Sequence, residues 1–80
     1  MSLYFIDFQD GEKHVRDSVG SAVASIAEAC VEAAEMLPQI AKNRRPSNGS
    51  WDLTATVRDE VGTVLYRATL SFHDELVARG

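Results

Sequence analysis

Residues 25–42, Ser-Ile-Ala-Glu-Ala-Cys-Val-Glu-Ala-Ala-Glu-Met-Leu-Pro-Gln-Ile-Ala-Lys, carry the one long helical signal in the chain. Ser25 followed three residues later by Glu28 is a capping-box pattern, in which the hydroxyl accepts from the Glu28 backbone N–H and the carboxylate reaches back to the Ser25 N–H. That predicts a helix starting at Ile26. From there Ile26, Ala29, Cys30, Ala33, Leu37 and Ile40 recur at helical spacing, with Met36 flanking, and Glu28, Glu32, Glu35 and Gln39 take the other side. Ala27, Ala34 and Ala41 fall beside the apolar stripe, where small side chains let a neighbouring backbone come close. That neighbour is the chain's own sheet or a second copy. Pro38 removes one intrahelical hydrogen bond and crowds the Ala34 carbonyl, so a kink or an end is expected near Leu37, with a looser last turn to Lys42.

Working outward, two short β-like runs precede the helix and two follow it. Leu3 to Phe8 is aromatic and β-branched, with large apolar groups on both alternating sets, as in a central strand. Asp10-Gly11 supplies a tight turn, and Lys13 to Arg16 returns as a short strand. Ser21 to Ala24 then leads extended into the helix cap. Past the helix, Asn43 to Ser50 has loop composition and is expected to be the most mobile stretch. Trp51, Leu53, Ala55 and Val57 alternate with polar partners. So do Val64, Tyr66, Ala68, Leu70 and Phe72, with only Leu65 breaking the opposite, polar series. Trp51 is in register with the core side of its strand, and residues 73–80 form a tail. The result is one α+β domain over residues 1–80, a two-layer β-β-α-β-β sandwich with one helix packed on a four-stranded antiparallel sheet.

One hexapeptide occurs nearly twice. Val15-Arg16-Asp17-Ser18-Val19-Gly20 matches Val57-Arg58-Asp59-Glu60-Val61-Gly62 at all but one position. Asp at the start of a turn and Gly three residues later mark a type I turn closed by a left-handed glycine. Two loops solving one geometric problem account for the echo without a duplicated half-domain.

Composition narrows the setting. A chain of 80 residues has a thin core, so help from a partner chain is expected. One cysteine excludes an intrachain disulfide and suits the cytoplasm. There is neither a signal-peptide pattern nor a run of apolar residues long enough to span a membrane. A net charge of −4 argues against nucleic acid as the principal partner.

No set of residues has the types and spacing that a known chemistry requires, so the sequence defines a fold and no activity. Cys30 lies on the apolar stripe, which makes it an inert core thiol. His14 and His73 lack partners at metal-ligand spacing, and Glu28, Glu32 and Glu35 read as a solvated helix face. Lys42, Arg44 and Arg45 are candidate contacts for an anion or nucleic acid, although the helix dipole and the following loop account for them without a ligand. No catalytic triad, phosphate loop or zinc motif occurs, so neither catalytic residues nor a cofactor is expected.

Taken together, Tyr4-Phe5-Ile6, Asp10-Gly11, Asp17 to Gly20, the Ala/Glu helix with Glu28-Ala29 and Glu32-Ala33, and Val57-Arg58-Asp59-Glu60 with Gly62 resemble a family of small bacterial proteins known as a domain of unknown function, DUF6894. The resemblance covers Leu3 to Phe72; it implies this fold and brings no activity with it. Ile6 stands where the family carries a third aromatic, and Pro38 interrupts a helix that the family keeps whole. A weaker likeness is to antitoxins of the HicB type, without their glycine and proline pattern before the helix. The expectation is a non-catalytic interaction or structural domain, forming a homodimer through a sheet edge or the alanine side of the helix. The alternative is a regulatory module of antitoxin type that binds a partner protein and nucleic acid.

Overall fold

The structure, a computed structural model, describes residues 2–43 and 50–78. The elements follow in the order β1 (Ser2–Asp10), β2 (Lys13–Val15), β3 (Ser21–Val23), α1 (Ile26–Lys42), β4 (Ser50–Arg58) and β5 (Val64–His73). All strand pairs are antiparallel, with β1 and β4 central, β5 beyond β4, and both β2 and β3 paired to β1. The α+β sandwich is as read from the sequence, except that the sheet has five strands. The extra one is β3: Ser21–Val23 does not merely lead into the helix but pairs with Ser2–Tyr4.

Strands β2 and β3 are two halves of one edge strand. Phe8–Asp10 pairs with β2 and Ser2–Tyr4 with β3, so the middle of β1, Phe5 to Asp7, has no strand on that side. Residues 16–20 leave the sheet between the halves. The β1–β2 turn is Gly11-Glu12, with Gly11 at φ 60° and Asp10 opposite Lys13, which is the tight hairpin that Asp-Gly predicts.

Helix α1 begins after its serine cap, the Ser25 hydroxyl accepting from the Glu28 N–H at 3.4 Å. The Glu28 carboxylate reaches one residue further back than the capping box predicts, accepting from the Ala24 N–H at 3.2 Å. Pro38 does not end the helix, which runs unbroken to Lys42. Its ring lies on the exposed side and within the last two turns, where one missing hydrogen bond is tolerated. Asn43 closes the helix with its N–H on the Ile40 carbonyl at 3.2 Å. The expectation for Asn43 to Ser50 falls mainly on residues outside those described.

Ala29, Ala33 and Leu37 of α1 are buried against Ile6, Leu53, Ala55 and Val57 of the sheet, with Leu53 and Val57 fully enclosed. The two alanines let the helix sit close over β4. Cys30 is half-buried and Ile40 packs at the margin. Ile26 departs from the predicted stripe: as the first helical residue it lies beyond the sheet's cover and is 37 % exposed. Because the roof is centred on β4, the outer strand is poorly covered. Tyr66, Ala68 and Leu70 are half-buried and Phe72 is 43 % exposed.

Candidate functional site

Within a strand of large apolar groups, Asp7 is a charged residue on the face away from the helix. Arg58, at the end of β4, stands opposite Phe5 on that same face. Its Nε donates to Asp7 Oδ2 at 2.7 Å and its Nη2 to Asp7 Oδ1 at 3.3 Å, a two-pronged pair, while the guanidinium carbon lies 4.6 Å from the centre of the Phe5 ring. Nη2 also donates to the Asp17 carbonyl at 2.7 Å. The excursion of residues 16–20 is thereby pulled onto the open face.

Asp17 completes the arrangement from the other side. Its Oδ2 accepts from the Ile6 N–H at 3.1 Å, filling the gap in the edge of β1 where no strand pairs. Its Oδ1 accepts from the N–H groups of Val19 and Gly20, each at 3.0 Å, and its own N–H donates to Asp7 Oδ1 at 2.8 Å. Both oxygens of both carboxylates are therefore occupied. For Asp7, burial alone pushes the pKa up, but the Arg58 hydrogen bond, the Asp17 N–H and the charges of Arg58 and Arg16 outweigh it and hold the group below its usual value. Asp17 behaves likewise: burial raises it, and the three N–H donors with the Arg58 charge lower it further. Arg58 is stabilised in its charged form, chiefly by the hydrogen bond to Asp7. Carboxylates held this way are fixed anions, suited to bracing an edge and not to carrying protons near neutrality.

The opposite edge has no such brace. Ten residues of β5 pair with β4 on one side only, and its exposed apolar side chains include Val64 at 50 %, Leu65 at 45 % and Phe72. The pairing of Val57 with Tyr66 and of Arg58 with Val64 makes Leu65 an extra, bulged residue. That accounts for Leu65 interrupting the polar series, and it corrects the reading of Val64, which opposes Arg58 on the open face. From Tyr66 to Phe72 the strand is regular.

The residues singled out in the sequence are not brought together. Lys42 is exposed in the last helical turn, and Arg44 and Arg45 lie outside the described residues. His14 is exposed and meets the Gln9 amide oxygen at 3.3 Å, and His73 is exposed at the end of β5. Glu32 is half-buried instead of solvated, accepting from the Ser21 hydroxyl at 3.3 Å and so tying α1 to β3. Trp51 is half-buried with its indole N–H donated to Asp10. Among the described residues no group of His, Cys, Asp and Glu is placed to hold a metal ion, and no helix is long and apolar enough to cross a membrane. The cluster of Asp7, Asp17 and Arg58 was missed in the sequence. Its signals were a lone carboxylate inside an apolar strand and an arginine ending an alternating one.

The fold and its braced edge define a small α+β domain with one helix over an antiparallel sheet. The chain belongs to the family described as "Domain of unknown function (DUF6894)", whose model matches residues 3–71. No curated protein and no solved structure matches it.

Proposed function

We propose that this chain is a non-catalytic interaction domain of the bacterial cytoplasm that self-associates through the free edge of β5. The observation that carries this reading is the contrast between the edges. Exposed sheet edges invite pairing, and folded chains normally blunt them by charge, interruption or cover. At β2 and β3 the edge is interrupted by residues 16–20 and bears the exposed charges of Lys13 and Arg16. In contrast, β5 contains no acidic residue, carries Arg67 as its one basic group besides His73, and leaves Phe72 beyond the helix's reach. Thin burial adds to the case, because seven hydrophobic residues make up the buried core among those described. The lone thiol of Cys30 supports a reducing compartment.

Sedimentation equilibrium over a micromolar concentration series tests the reading. A dimer is expected, and Phe72→Lys is expected to weaken it about tenfold, equivalent to about 1.4 kcal/mol, while leaving the far-ultraviolet circular dichroism unchanged. A chain that stays monomeric throughout the series overturns it.

A further inference from the structure

Resting on that edge reading, we infer that the occupant of the β5 edge is the β5 strand of a second copy, paired antiparallel about Thr69. Antiparallel pairing of one strand with its own copy places the two-fold axis normal to the sheet. Each face then meets the same face of the partner, so a single residue must lie on the axis and oppose itself.

Four candidate centres differ sharply. With Thr69 on the axis, Tyr66 opposes Phe72 and Ala68 opposes Leu70 on the helix side, and Arg67 opposes Ser71 on the open side. All seven residues of the regular span from Tyr66 to Phe72 are then used, and each half-covered apolar side chain gains an apolar neighbour. Centring on Arg67 sets like charges against each other. With Ala68 on the axis, the bulge at Val64 and Leu65 falls inside the paired span. With Leu70 there, Tyr66 is set against Asp74. Only the Thr69 register also extends a ladder already present: the Thr54 and Thr69 hydroxyls lie 3.1 Å apart on the open face, and a second Thr69 continues that row across the axis. Roughly six to eight inter-strand hydrogen bonds join the copies in such a span.

Cysteine placement reads the register directly, since positions 67, 69 and 71 are all exposed on the open face. In a Cys30→Ala parent, Thr69→Cys is expected to oxidise to a covalent species of twice the 8.8 kDa chain mass, because directly opposed residues lie within disulfide reach. Arg67→Cys and Ser71→Cys, oxidised separately, remain single chains, their own copies being about 14 Å apart along the strand. Mixed together, those two cross-link. Self-cross-linking at 67 or 71, or none at 69, in a parent that sediments as a dimer overturns the register and leaves the edge reading standing. A monomeric parent overturns both.

Discussion

Two loops of nearly identical sequence, residues 15–20 and 57–62, meet the same local demand and do different work. In each, the aspartate side chain accepts from the N–H two residues on, Val19 or Val61, at 3.0 Å, and a glycine of positive φ follows, 81° at Gly20 and 93° at Gly62. The second is an ordinary hairpin turn, in which the Asp59 carboxylate also caps the Thr63 N–H at 2.9 Å and the turn stands at the surface. The first lies within an edge strand, and its aspartate turns inward to satisfy Ile6 of the neighbouring strand. The arginines divide in the same way. Arg58 is buried between Asp7 and the Asp17 carbonyl, whereas Arg16 is exposed. Local sequence therefore fixes the turn, and the surface against which it folds decides whether the same carboxylate becomes a brace.

The largest effect that sharpens this comparison is expected at Asp17. Asp17→Ala strands the Ile6 N–H at a partly buried edge and removes both turn bonds, so a loss of about 2–4 kcal/mol is expected. At roughly 4–8 °C per kcal/mol for a domain of this size, calorimetry will show a fall in Tm of at least about 8 °C. An equal loss from Asp59→Ala breaks the comparison.

Acid titration probes the same difference. The folded-state pKa values of Asp7 and Asp17 lie below the ordinary 3.8, so the unfolded chain takes up protons first as the pH falls. Their contribution to stability is complete well above 3.8, begins to be lost below about pH 5 as the unfolded carboxylates take up protons, and is gone once the pH has fallen through the folded-state values as well. Denaturant midpoints measured from pH 7 to pH 2 should fall less steeply in Asp17→Asn than in the parent. An unchanged slope assigns the acid sensitivity to other groups.

Smaller effects come from the glycines. Alanine at either position meets the strain of a left-handed backbone, about 1–2 kcal/mol. At Gly20 a Cβ would also stand 2.9 Å from Leu3 Cδ1 and 3.0 Å from Phe5 Cε1, whereas at Gly62 nothing lies within 4 Å. Gly20→Ala should therefore destabilise more than Gly62→Ala, by about 1 kcal/mol, the Leu3 end yielding in part. Smallest of all, Asp59→Ala removes exposed bonds and should cost about 0.5–1.5 kcal/mol.

What could be read from residues alone was whatever short-range chemistry decides. The serine cap, the helix from Ile26, both Asp-to-Gly turns and the alternation in β4 depend on neighbours within four positions. Features set by distant partners were not visible. The pairing of Arg58 with Asp7 joins residues 51 apart, and Asp17 reaches β1 from 11 positions away. Strand β3 is three residues long, too short to show a period, and it exists because β1 offers it an edge. Pro38 does not end the helix, because the rule for proline concerns helix interiors and the exposed last turns of a helix supported on a sheet give way more easily. Leu65 carried a legible irregularity that only the register resolves as a bulge.

The break between β2 and β3 bears on how many copies can join. A sheet with two open flanks can add neighbours indefinitely, growing into a fibre. Here the flank made by β2 and β3 is interrupted by residues 16–20, with the Asp17 carboxylate filling the gap beside Ile6, so the proposed pairing would use β5, the one long uninterrupted edge among the described residues. On that proposal association would terminate at two, and a chain whose interruption is removed would gain a second adhesive side, turning a finite particle into a polymer.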